Sequence, residues 1–167
     1  MLRYLLCTLL LAGLVGLAAP TAHAQLRIGG GLIYGFDIEQ LGLQANGFYQ
    51  IQPNIEVGGD FTFYFPEEIG NITSRVFSIN PTGHYIFFDD EESLRAYGLA
   101  GINIARFSVE SDNQFFDDFS DTEFGLLLGA GGEYTLDFGR VFAELRFALE
   151  GEEQASLAAG IRFAIGD

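Results

Sequence analysis

The chain has 167 residues, with 23 acidic and 8 basic side chains for a net charge of −15, yet 49% of it is hydrophobic and its mean hydropathy is +0.22. So acidic a chain repels nucleic acid and anionic lipid surfaces, which argues against both as general partners. Positive hydropathy beside that charge requires the ionic and apolar residues to occupy different zones of one molecule.

The chain starts Met1-Leu2-Arg3-Tyr4, continues with an apolar run over 5–19, and then reads Pro20-Thr21-Ala22-His23-Ala24. A basic start, a short apolar core and an Ala-x-Ala ending predict a secretory signal peptide over 1–24, cleaved before Gln25. One domain over 25–167 follows; without the 24-residue leader it is 143 residues long. Arg3 leaves with the leader, so −15 becomes −16, and so does Cys7, the single cysteine. Disulfides, thiol catalysis and thiolate metal sites are thereby excluded from the mature chain.

From there the pattern has period two. In Ile55-Glu56-Val57-Gly58-Gly59-Asp60-Phe61-Thr62-Phe63-Tyr64-Phe65 one set is Ile, Val, Gly, Phe, Phe, Phe and the other Glu, Gly, Asp, Thr, Tyr. Such alternation makes a strand with two chemically different faces. Eight segments of this kind are predicted, over about 26–36, 41–51, 55–65, 75–88, 94–107, 123–136, 140–149 and 155–165. Strands of about 9–11 tilted residues suit a bilayer, whereas soluble strands average about 5–6. The connections at 52–54, 89–93 and 137–139 are short, while 66–74 and 108–122 are predicted as longer loops, although those at 37–40 and 150–154 are short as well. Short turns on one side and longer loops on the other fit an outer-membrane barrel with the longer loops extracellular.

A soluble barrel turns its apolar set inward and a membrane barrel turns it outward. The polar sets here hold Gly, Ala and neutral amides, as in Gly42, Gln44, Asn46, Gln50 and Ser156, Ala158, Gly160, which suits a crowded lumen. Their charges are Glu56, Asp60, Glu133 and Glu144 with Arg27, Arg146 and Arg162, close to balance, while the acidic excess falls in the connections. An unpaired ion away from bulk water costs several kcal/mol, so a structural lumenal ion network is expected among Glu56, Asp60, Glu133, Glu144, Arg146 and Arg162. Aromatics divide into a band near the short turns (Tyr49, Tyr85, Phe87, Tyr134) and one near the longer loops (Phe36, Phe63, Phe65, Phe77, Phe124, Phe147), like interfacial girdles. Pro81 predicts a bulge in the fourth segment, since it cannot donate to a ladder. The fifth segment has two plausible outward faces, and Asn103 favours the one with Leu94, Ala96, Gly98, Ala100, Ile102 and Ile104 outward.

With its leader, glycine-rich strands such as 124–134, lumenal Glu/Arg set and aromatic closing strand, the chain resembles the small eight-stranded outer-membrane β-barrels of the OmpA transmembrane and OmpX-like group. The resemblance implies an all-β, eight-stranded antiparallel up-and-down transmembrane barrel in the bacterial outer membrane, with periplasmic termini. The chain departs from that group in ending Phe163-Ala164-Ile165-Gly166-Asp167 rather than on an aromatic residue, and no peptidoglycan-binding domain is present within these residues.

No catalytic, cofactor or metal residues are assigned. His84 is the one histidine of the mature chain, and Ser78, on the same face, stands about 20 Å along the strand, beyond hydrogen-bond reach. The acidic stretch 111–123 offers calcium-type oxygen ligands without the spacing of an EF-hand loop, and Gly29-Gly30-Gly31 has no following helix to make a phosphate loop. The expected function is a non-catalytic structural or surface-interaction role in envelope integrity or adhesion. The expected partners are outer-membrane lipid and lipopolysaccharide, divalent cations at the acidic loops and an extracellular partner not named by the sequence, and the expected state is a monomer. The alternatives are a narrow channel or carrier for small apolar molecules, and a soluble periplasmic ligand-binding barrel. Lumenal charges argue against the soluble form.

Overall fold

The computed structural model describes residues 26–69, 72–90, 93–111, 119–149 and 154–165, with the side chains of 67–69, 72–73, 109–111, 119 and 154 left aside. The leader at 1–24 and most of the acidic stretch, 112–118, lie outside the described residues. The elements are β1 (Leu26–Gly35), β2 (Gln40–Gln52), β3 (Ile55–Tyr64), β4 (Glu67–Ile69), β5 (Ile72–Asp89), β6 (Leu94–Ser111), β7 (Phe119–Leu136), β8 (Gly139–Leu149) and β9 (Gln154–Ile165). Every neighbouring pair is antiparallel, β3 pairs with β5, and β1 pairs with β9, so eight long strands close into a barrel. The three-residue β4 folds back on the first residues of β5, Glu67 opposite Ser74.

Register fixes the tilt. The pairs Leu26↔Tyr49, Tyr49↔Val57, Val57↔Gly83, Gly83↔Ala100, Ala100↔Leu128, Leu128↔Phe147 and Phe147↔Ala155 follow one line across the strands. That line returns to β1 at Phe36, whose N–H donates to the Ala155 carbonyl at 2.9 Å. One circuit therefore climbs from Leu26 to Phe36, ten residues of about 3.3 Å against eight spacings of about 4.8 Å, a tilt of about 40°. Along the barrel axis the lower aromatics (Tyr85, Tyr134) and upper aromatics (Phe77, Phe124) are then separated by about 20–25 Å, close to the apolar height of a membrane barrel.

The faces are inverted relative to a soluble protein. Leu32 and Leu43 are each 50% exposed and Phe124 is 64% exposed, while Arg162 is 1% and Glu56 0% exposed. A continuous outward surface of this kind needs an apolar solvent. In β6 the faces fall as Asn103 suggests: Leu94, Ala100 and Ile102 are exposed, and Arg95, Tyr97 and Leu99 are buried in the lumen.

Two sequence expectations are corrected. Register is continuous through Pro81, with Ile79↔Ile104 and Thr82↔Gly101 at one offset, and the irregularity falls instead between Ile86 and Phe88. Pro81 points outward, opposite Gly59, and a single missing donor there does not shift the ladder. Much of the predicted loops at 66–74 and 108–122 is strand: Ile72 pairs with Ser111 and Val109 with Phe119. Ser108, Ser120 and Thr122 are polar although they stand on the outward face, as suits positions beyond the aromatic bands that meet water, so alternation fades while the ladder continues.

Candidate functional site: the lumenal ion network

Inward positions of β1, β3, β6, β7, β8 and β9 bring their charges onto the barrel axis. Arg146 donates to Asp60 at 2.9 Å and pairs with Glu144. Glu144 also meets Arg162, which donates to Glu133 at 2.6 Å. Glu133 meets Arg27, and Arg27 meets Glu56. Glu56 accepts from Arg95 at 2.7 Å, and Arg95 Nε donates to Asp89 at 2.8 Å. All six residues expected from the sequence lie in this one chain. Arg27, Arg95 and Asp89 complete it, with Arg140 standing 3.8 Å from Glu133.

In the buried part four guanidinia (Arg27, Arg95, Arg146, Arg162) face four carboxylates (Glu56, Asp60, Glu133, Glu144), each residue at most 7% exposed. Balance of this kind is what lets ions leave bulk water. Sequence reading placed Arg27 on a polar face without joining it to the network, and left Arg95 out because both faces of its strand look apolar. The signal that finds Arg95 is its phase with Asn103, eight residues on and so on the same face.

Neutral groups tie the ions together. The Tyr97 hydroxyl donates to Glu144 at 2.7 Å and accepts from Arg162 at 2.7 Å. Arg162 Nε donates to Asn46 at 3.0 Å. Asn80 Nδ2 donates to Asp60 at 2.8 Å, and Asn103 Nδ2 to Asn80 at 2.7 Å. Rings fill the remaining width. His84 stacks on Tyr97 at 4.5 Å with 11° between planes and lies 4.1 Å from Phe48. Arg162 covers Phe142 at 4.0 Å and Phe48 at 4.8 Å, contacts that suit a flat, weakly hydrated cation. His84 is thus lumenal, with Nδ1 3.7 Å from Glu56, while Ser78 accepts from Asn80 at 3.2 Å. Toward the end carrying β4, Ile33, Tyr64 and Val76, with Ile38 and Phe107 against them, stand beyond the ions, in one apolar cluster with Ala158 and with Phe142, which lies lower, against Arg162.

A closed, inside-out barrel with an ionic interior is the fold of the small eight-stranded outer-membrane proteins. No protein-family model and no curated protein matches the chain; solved structures do. Neisserial surface protein A is 18% identical with a TM-score of 0.61, covering 83% of this chain and 94% of that one. Ail, the attachment invasion locus protein of Yersinia pestis, solved with the heparin analogue sucrose octasulfate, is 20% identical with a TM-score of 0.61, covering 84% and 97%. The N-terminal β-barrel domain of Pseudomonas aeruginosa OprF is 18% identical with a TM-score of 0.57, covering 84% and 100%. At these identities the likeness is one of fold.

Proposed function

We propose that the protein is a non-catalytic barrel of the bacterial outer membrane whose role is structural or surface-interacting, in envelope integrity or adhesion. The observation that carries this reading is the lumen: the ion chain from Asp60 to Asp89 runs along the axis beneath an apolar cap. An eight-stranded barrel has an interior just wide enough for side chains, and here they fill it. Even the glycines serve that filling, since a Cβ at Gly58 would stand 2.8 Å from the Phe48 ring. The working surfaces are then the outer wall and the exposed hairpins.

The short turns at 52–55, 89–94 and 136–139, the start of β1 and the end of β9 share one end of the barrel, which supports periplasmic termini and extracellular β4–β5 and β6–β7 hairpins. Lipid and lipopolysaccharide are the immediate partners, with divalent cations at the acidic hairpins and an extracellular partner as further ones. A polyanion such as the sulfated ligand of Ail suits this chain poorly, because its net charge of −15 repels it. We propose a monomer. Envelope fractionation with heated and unheated gel samples tests the reading: an outer-membrane band whose unheated form migrates differently is expected, and recovery as a freely soluble periplasmic protein overturns it.

A further inference from the structure

We propose that His84 is an acid-responsive switch in the lumenal network: once protonated it takes Glu56, and Arg95 moves onto Asp89 at the rim of the barrel. This goes beyond the envelope role above and rests on the ion chain alone.

His84 is the one histidine from residue 25 onward, and it is 1% exposed. Register sets it beside Glu56 on β3 and Leu99 on β6. Its ring is held between two others, Tyr97 stacked at 4.5 Å and Phe48 at 4.1 Å. Nδ1 stands 3.7 Å from Glu56 Oε2, beyond hydrogen-bond range, and neither ring nitrogen has a hydrogen-bond partner among the described residues. That is the arrangement of a neutral ring, since an imidazolium would bury two N–H donors without acceptors.

The charged groups facing the ring are Glu56 from β3, Glu144 from β8 and Arg162 from β9. From β2 and β6 come Phe48 and Tyr97, the tyrosine hydroxyl being held between Glu144 and Arg162. On β5 itself the inward neighbours Thr82 and Ile86 carry no charge. Arg27 and Arg95 reach the ring through their shared partner, Glu56.

This surrounding suits the charged form as well. The faces of Phe48 and Tyr97 accommodate a flat cation, and a closing of about 1 Å makes Nδ1–H a charge-assisted donor to Glu56. Glu56 already holds two guanidinia, Arg27 on Oε2 and Arg95 on Oε1 at 2.7 Å. A third cation on one buried carboxylate leaves positive charge uncompensated, so one partner must go. Arg95 has a second partner toward water. It reaches Asp89 through Nε at 2.8 Å and Nη2 at 2.7 Å, and the Asp89 side chain is 22% exposed at the short-turn end. Arg27 lies deeper, between Glu56 and Glu133, whose side chains are fully buried. The two states are therefore defined. With a neutral ring Arg95 bridges Glu56 and Asp89; with a protonated ring His84 holds Glu56, and Arg95 keeps Asp89 alone.

The test is a titration of the full barrel, purified from envelopes without a histidine tag, in lipid nanodiscs from about pH 8 to about pH 4.5. The readout is NMR of the imidazole carbons and nitrogens and of the Arg95 Nε–H signal. The imidazole signals are expected to move in one step, and the Arg95 signal to move with the same midpoint. His84→Gln should abolish the Arg95 step, and Asp89→Asn should reduce it while leaving the imidazole step in place. An imidazole that does not titrate while the barrel stays folded overturns the switch. So does an imidazole step that leaves Arg95 unmoved. An Arg95 step that survives His84→Gln assigns the change to Asp89 and overturns the role of His84. The unmodified protein alone decides the first two points, so a His84→Gln chain that fails to fold does not shield the inference.

Discussion

Tyr97 on β6 lies against Gly131, its partner on β7, and a Cβ on Gly131 would stand 2.9 Å from ring carbon Cζ and 2.7 Å from Glu144 Cγ. The absent side chain is what lets the tyrosine ring lie across the lumen with its hydroxyl between Glu144 and Arg162. Gly131→Val should therefore push Tyr97 out of the network and destabilise the barrel by about 1–3 kcal/mol, the usual cost of overpacking. Urea titration of folding into lipid vesicles measures this; a valine variant as stable as the parent would show that the ring has room to spare.

The outward face predicts a second set of effects. Phe61, Leu128 and Ile161 point toward lipid, and arginine at such positions costs about 2–4 kcal/mol near the midplane of a bilayer, less toward its edges. The same titration on Phe61→Arg, Leu128→Arg and Ile161→Arg checks the magnitude. The inward Gln44 and Ser156 serve as controls, since arginine there meets protein rather than hydrocarbon; matching depth-dependent costs at both sets would mean that the faces had been exchanged.

Arg162 separates shape from charge. Its three nitrogens reach Asn46, Tyr97, Glu133 and Glu144, which sit on β2, β6, β7 and β8. A lysine keeps the charge but has one compact head and cannot span them. Arg162→Lys should cost about 1.5–3 kcal/mol, the range for one or two lost bonds to charged groups. Stability equal to the parent would show that charge alone, without the planar fork, holds these four strands.

The parts of the fold that were legible in the sequence are those where lipid and lumen impose opposite demands on alternate residues. Ile55–Tyr64 displays this fully, with Glu56 and Asp60 inward and Val57 and Phe61 outward. Legibility fails beyond the aromatic bands, where the outward Ser108 and Thr122 are polar and the strands run on regardless. It also fails where a lumenal residue is itself apolar. Leu99 and Leu127 are inward and buried, so β6 offers two apolar faces and Arg95 loses its context. Pro81 misled for another reason, because its effect on a ladder depends on a hydrogen-bond phase that sequence does not carry. The six ions could be assigned to a common interior from their phase, but the partner of each depends on strand order and on the ten-residue climb of the barrel, which only the register supplies.

Arg146 carries the last prediction. It is 2% exposed, donates to Asp60 at 2.9 Å and to Glu144 at 2.8 Å through Nε, and links β8 to β3 across the lumen. Removing it leaves Asp60, among the described residues, with only the neutral donors Asn80 and Thr62, while Glu144 retains Arg162 and Tyr97. One buried carboxylate thus loses its counter-ion outright, and Arg146→Ala should destabilise by about 3–5 kcal/mol where the site is dry, less where water enters. Asp60→Asn in the same chain should recover much of that loss, because the stranded charge is gone; a double variant no better than the single would locate the cost in lost packing of the arginine stem instead. Planar-bilayer recordings provide an independent check. The parent should show no sustained conductance and Arg146→Ala a leak, whereas large ohmic channels from the parent would overturn the filled lumen itself.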